Sequence, residues 1–573
     1  MNNYIGVCNK AIKIDKNQVI QNDITKTKYD FYFDGKTNRQ IELSFSFPAI
    51  DIVGMWHPAC KMERDLKSDW FKGMDSMLSI SAPVICLYNN ESENVHTIAL
   101  SETRQRLEFA CGIKEENGNM IVKINLTLPD DSFKDMYSIT IWESIKKEPY
   151  YQTLDEVRKF WESKEGYKAL DVPQVAKESL YSFWYSYHQD VTAQDVEKES
   201  LVAFKLGFST IIVDDGWQTE DNHRGYAYCG DWKPSSIKFP DFPSHIKRVQ
   251  EMGLKYMIWF SVPFVGKNAD CFDTFKDYFL CYLENMNAGV LDIRYKFVRD
   301  YLIGIYKKAV QEWGVDGLKL DFIDDFYLRD NSPSYNEKMD HRDVQDALST
   351  LLSDIISTLK QIKPDLLIEF RQRYIGPEIR QYGNMLRVSD CPGSSLFNRV
   401  GSIDLRLLSG STAIHSDMLM WHEDEKVENA AIQVLSCLFT TIQISISLLN
   451  MREDIKEMLE YWLSFKKKHQ ILLQETMIEP MQPQNLYPVV HVENKEIQEE
   501  ILVSYSKCEY LNMNHRQPKF YYVNAGGECD LLVECKENRK YSLKDCMGHT
   551  LEQGILKEYT KIHCLDASLL IFE

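Results

Sequence analysis

Inside the apolar stretch "GLKLDF" (317–322), a lysine and an aspartate stand two positions apart. Alternate side chains of a strand share a face, so Lys319 and Asp321 point one way while Leu318, Leu320 and Phe322 point the other. A carboxylate beside a cation stays ionised, as a nucleophile must. Other apolar runs end in the same style. Trp184 closes "SFW", Asp214 and Asp215 follow in "VDDGW", and Trp259 lies in "MIWF". Arg371 and Arg373 end "EFRQR", and Arg387 and Asp390 lie in "LRVSDCPG". Carboxylates and lysine bond hydroxyl groups, and indole faces stack on the C–H surface of a sugar ring. Retaining glycosidic cleavage needs two carboxyl groups, a nucleophile and an acid/base. Asp321 suits the first role, and Asp390 the second if it is held protonated at rest.

The elements that must carry these residues repeat one grammar. Val298, Leu302, Ile305, Ala309 and Trp313 recur at helical spacing, Gly314 stops the helix, and "DGLKLDF" follows as a strand. "FKLGFSTIIVDDGW" and "QEMGLKYMIWFSVPF" read the same way, and a helix through Val344, Leu348, Leu351, Leu352, Ile355 and Leu359 leads into "LLIEFRQR". Repeated helix-to-strand units imply a parallel sheet with helices outside. No glycine-rich phosphate loop follows any strand, and functional residues end at least five of them. That spread favours a (β/α)8 barrel, whose site gathers the C-terminal ends of many strands, over an open doubly wound sheet. Asp321 and Asp390, 69 residues apart (390 − 321), fit strands two βα units apart.

The flanks read differently. "IELSFSF" alternates Ile41, Leu43, Phe45 and Phe47 with polar partners, and "VKINLTL" alternates Val122, Ile124, Leu126 and Leu128. The tail returns to this style in "EEILVSYS" and "ASLLIFE". The expectation is a multidomain α/β chain: a β-sandwich over 1–170, a barrel over 171–480 and an antiparallel β domain over 481–573. The 573 residues carry a formal charge of −19 with no basic run, which excludes a nucleic-acid partner. Fourteen scattered cysteines without a CxxC pair, no signal-peptide pattern and no membrane-length apolar run predict a cytoplasmic chain without a membrane partner. Whether it forms a homo-oligomer is open.

Six pieces in order, "FWYSYHQD", "IIVDDGWQ", "GDWKPSSIKFP", "GLKYMIWFSVPF", "GLKLDF" and "RVSDCPG", resemble the family 36 glycoside hydrolases of clan D, the α-galactosidase group. The resemblance implies a barrel between an N-terminal β-supersandwich and a C-terminal β domain, with no cofactor. It places the nucleophile on Asp321 and the acid/base on Asp390. It gives Asp214 and Asp215 the axial O4 and O6 of galactose, Lys319 the ring hydroxyls, and Trp184 and Trp259 the pocket wall. Arg387 resembles an arginine near the nucleophile, and Trp56 in "GMWHP" a tryptophan lent by the N-terminal domain. Where many relatives have a cysteine- and glycine-rich turn, this chain has "EFRQRYIG", so Arg371 and Arg373 are expected to meet a substituent or a second sugar.

The function this implies is a retaining exo-glycosidase acting on terminal α-galactosides, with a small oligosaccharide as partner. The alternatives are α-N-acetylgalactosaminidase, galactosyl transfer, or a non-catalytic carbohydrate-binding protein on the same scaffold. Single motifs also have structural readings. Lys319–Asp321 would serve as an ion pair in a barrel wall, "VDDGW" as a turn, His415 as a satisfied core histidine and Cys391 as a small buried residue. Asp324 and Asp325 read as solvated loop or cap carboxylates rather than catalysts.

Overall fold

The computed structural model describes residues 11–33, 39–128, 135–371 and 374–573. Eight short parallel strands form its centre: β1 (Leu180–Ser182), β2 (Thr210–Val213), β3 (Lys255–Ser261), β4 (Gly317–Asp321), β5 (Leu367–Arg371), β6 (Met385–Arg387), β7 (Ala413–His415) and β8 (Gln443–Ile444). They are hydrogen-bonded in chain order from β1 to β7, and β8 pairs with β1. The bridge His415↔Thr441 brings the segment entering β8 against β7 and nearly closes the ring.

Helices alternate with the strands: α1 (Ala193–Lys205), α2 (Phe242–Glu251), α3 (Lys296–Lys308), α4 (Val344–Ile362), α5 (Ser395–Ser409), α6 (Val427–Ser436) and α7 (Glu453–Lys468). Among the described residues the connection between β5 and β6 carries no α-helix, its longest 3-10 turn being Pro377–Gln381. Local chemistry sets the helix limits. Thr192 and Asp195 form a reciprocal capping box on α1, and Asp343 caps α4. After α1, α2 and α3 the chain turns through Gly207, Gly253 and Gly314, all at positive φ, which glycine adopts without a Cβ clash.

Before the barrel stand a six-stranded and a four-stranded antiparallel sheet. Their apolar faces enclose a core that includes Phe31, Leu43, Ile98, Phe109 and Ile124. The alternation read in the sequence is the pairing seen here: Ile41 faces Leu126, Leu43 faces Ile124 and Phe45 faces Val122. After the barrel come a seven-stranded and a three-stranded sheet over their own core. These are mainly antiparallel, but Glu499–Ser504 runs parallel to Lys519–Asn524, as Tyr510–Asn512 does to Cys529–Glu534. Among the described residues, no helix is long and apolar enough to cross a membrane.

Candidate active site

Asp321 is the last residue of β4 and is 7% exposed. Phe322 follows in the left-handed region (φ 63°), which turns its N–H back to donate to Asp321 Oδ1 at 2.8 Å. Such backbone is costly for a bulky residue and persists where its surroundings impose it. Trp259 Nε1 donates to Oδ2 at 3.1 Å, and the Arg371 guanidinium forms an ion pair with Oδ1. Arg371 also lies 4.6 Å from the Phe322 ring centroid. Burial works to lower the Arg371 pKa, but Asp321, Tyr374 and Asp324 raise it on balance.

This corrects the expected partnership of Lys319. Its ammonium, on the same strand face as Asp321, donates instead to Asp214 Oδ2 at 2.5 Å, across the barrel from β4 to the end of β2. Strand alternation identifies a face, whereas the partner depends on which strand end reaches over that face, here one beyond the neighbouring β3. Asp215 is turned away into a closed set of donors. Gln189 Nε2 reaches Oδ2 at 2.7 Å and Gln218 Nε2 reaches Oδ1 at 2.6 Å. Burial pushes the Asp215 carboxyl up and the Asp214 charge adds to this, so it stands at about 7 despite the two amides. Gly216, at φ 117°, makes this packing feasible, since a Cβ there would fall 2.5 Å from Gln189 Cα.

Asp390 follows β6, two strands beyond Asp321 as the spacing predicted, and its side chain is 48% exposed. Arg387, 1% exposed, donates through Nη2 to Asp390 Oδ1 at 2.7 Å and through Nη1 to Asp417. Burial alone would raise the Asp390 pKa, but Arg387, Lys319 and Arg371 hold it down at about 2. The expectation of a protonated resting acid is therefore corrected: unliganded Asp390 is a carboxylate. Arg387 touches this residue rather than Asp321. Burial raises the pKa of Asp417, which also accepts from Cys391 N at 2.6 Å and Tyr185 Oη at 3.0 Å.

Three further corrections follow from burial. Trp56 is fully buried and donates to Asp404 Oδ1 on α5 at 2.8 Å, so it joins domains instead of lining the mouth. Trp259 is 2% exposed, leaving no open face for a sugar, and acts on Asp321 through its N–H. Asp324 is buried, accepting from Tyr374 Oη at 2.8 Å, while Asp325 pairs with Arg329. Trp184 remains half-buried, with its ring against His188, and Arg373 lies outside the described residues. His415 is a satisfied core histidine, bonded to Ala176 O and Gln443 and paired with Glu369.

Asp417, Tyr374, Gln189 and Gln218 were not singled out in the sequence. Asp417 had a visible cue, since "AIHSD" ends an apolar run in a carboxylate as "RVSD" does. Among the described residues, one group of possible metal donors lies together, the consecutive and exposed His422, Glu423 and Asp424 after β7. None of them belongs to the set around Asp321 and Asp390.

The chain is 27% identical over 200 residues to alpha-galactosidase Mel36A of Lactobacillus acidophilus, which covers 32% of this chain and 25% of that protein. It thus spans about a quarter of the length of the curated relative it matches. The crystal structure of GH36 alpha-galactosidase AgaA from Geobacillus stearothermophilus superposes with a TM-score of 0.64 at 14% identity, covering 96% of this chain and 79% of that one. A variant of AgaA in complex with raffinose superposes at 0.65 and 15% identity over the same shares. At such identities the likeness shows a shared fold, the central barrel with flanking β domains. The Melibiase family model matches residues 176–475, the whole barrel and more than half of the chain. The chain belongs to the Melibiase family.

Proposed function

We propose that this protein is a retaining exo-glycosidase that hydrolyses terminal α-galactosides through a covalent glycosyl-enzyme. The observation that carries this reading is the setting of Asp321: a carboxylate at a barrel strand end, aimed by Trp259 Nε1 and Phe322 N–H. Family membership supports the same chemistry, as do relatives named alpha-galactosidases and one solved with raffinose. We keep the three-domain division near residues 170 and 480 as part of this proposal.

In the proposed first step, Asp321 attacks the anomeric carbon while Asp390 gives a proton to the leaving oxygen. Arg371 must release Asp321 Oδ1 as the sugar enters. Asp390 must gain a proton in the complex, and dehydration of its exposed edge by substrate favours the neutral form. In the second step Asp390, now the base, takes a proton from water as that water attacks the anomeric carbon and frees Asp321. Asp214, oriented by Lys319, accepts from a sugar hydroxyl, and Asp215 holds the turn that presents Asp214.

The test is a panel of p-nitrophenyl α-glycosides of galactose, N-acetylgalactosamine and glucose, with the β-L-arabinoside that shares the axial O4. Galactoside preference is expected, with the α-anomer of the sugar released first by proton NMR. Asp321→Ala should lower turnover by several orders of magnitude in a folded protein. First release of the β-anomer, or a folded mutant keeping a tenth of the activity, would reassign the mechanism.

A further inference from the structure

A cavity of about 270 Å³ lies beneath the barrel, at the opposite end from Asp321, between the entry to β1, the end of α1 and helix α7. Lys177, Lys205, Lys466 and Lys467 line it against Glu178 and Glu460, with Gln470 at its side. Four lysines facing two glutamates make a cationic hollow in a chain of formal charge −19. Exposed Lys205 and Lys467 have a local reason to be there, because cations in the last turn of a helix answer its dipole.

Lys466 lies in the same last turn of α7 but, unlike them, is buried. It is 2% exposed and forms no hydrogen bond or ion pair with any described residue. Gln470 Nε2, on the same wall, is also buried without an acceptor among the described residues. Lys177 is engaged with Glu475 at 2.9 Å. Arg406, near enough for its charge to press on Lys466, is bonded to the carbonyl oxygens of Phe439, Leu473 and Thr476. Lys466 therefore stands beside a second cation with no carboxylate bonded to it among the described residues, and an unpaired buried charge is costly. Burial and then Arg406 lower Lys466 to about 7, with Glu178 opposing.

We propose that this cavity is a binding site for a small oxyanion of the sulfate or phosphate class, held by Lys466 Nζ and Gln470 Nε2 and drawn in past Lys205 and Lys467. The anion supplies the counter-charge that Lys466 lacks and the acceptor that Gln470 lacks. It sits at the foot of the barrel and leaves the sugar site untouched.

Sulfate is the suitable probe, because its own charge stays constant from pH 6 to 9. Calorimetric titration of the whole protein at fixed ionic strength should show one saturable site at pH 7. Lys466→Met should weaken binding at least tenfold, and Gln470→Ala by a smaller factor. Affinity should fall up to tenfold per pH unit above about 7 as the Lys466 ammonium is lost. In chloride, Lys466→Met should melt no lower than wild type, since it removes an unpaired buried amine, and galactoside turnover should not change. Absence of a saturable site, or equal sulfate affinity in Lys466→Met, would overturn the proposal.

Discussion

Arg387 shares one guanidinium between Asp390 and Asp417, with Glu369 a more distant third at 3.9 Å, and that sharing governs what Asp390 can do. A general acid must be protonated to act, so the alkaline limb of activity on poor leaving groups follows the Asp390 pKa in the complex. Asp417→Asn removes the nearer competing negative charge and strengthens the hold of Arg387 on Asp390. That change should move the limb to lower pH, with little loss at the acid end. A limb that stays in place would show that Arg387 has already left Asp390 when substrate is bound. Asp390→Ala tests the role itself. Dinitrophenyl galactoside needs little protonation, so glycosyl-enzyme should form and accumulate, and azide should then speed turnover and yield the α-glycosyl azide. A β-azide would make Asp390 the nucleophile.

At the scale of elements, period and punctuation explain what the sequence revealed. Apolar runs stopped by glycines located β2, β3 and β4, because a glycine at positive φ ends each preceding helix wherever the helix packs. The 69-residue spacing located Asp390 two strands beyond Asp321 for the same reason. Partners were hidden because they depend on how strand ends meet at the barrel mouth: Lys319 reached past β3 to Asp214, and Arg371 on β5 took Asp321 on β4. The burial of Trp56 was hidden because docking of a whole domain decides it.

Strands in the C-terminal sheet carry a prediction of their own. His491 bridges Glu479 at 2.8 Å and Glu500 at 2.7 Å on its two neighbouring strands. Burial works to lower its pKa, but the two carboxylates raise it to about 9. A raised histidine contributes stability that is complete below about 6.5 and is lost as pH rises through 9. His491→Gln should therefore cost roughly 2–3 kcal/mol at pH 6 and much less at pH 10. Melting of both proteins across that range reads the difference, and a constant gap would mean packing, not charge, holds the strands.

The whole molecule is tied at Asp404 on α5. Trp56 Nε1 and Arg64 Nη2 from the N-terminal sheets meet it at 2.8 and 3.0 Å, and Tyr487 Oη from beyond the barrel at 2.6 Å. Removing the acid strands a guanidinium that is 3% exposed, so Asp404→Ala should cost about 3–5 kcal/mol. Asp404→Leu with Arg64→Met should recover most of that loss, as judged by thermal unfolding and resistance to proteolysis. Full stability of the alanine variant would show that the domains are held by apolar packing alone. The same knot sets an order of events during synthesis. Trp56 and Asp404 lie 348 positions apart, and Arg64 and Tyr487 lie 423 apart. At ~10 residues per second, roughly half a minute separates the emergence of Arg64 from that of its acid. Until then its charge needs water, and the surface around Trp56 cannot close. The N-terminal sheets are made before the barrel and can be finished only after it.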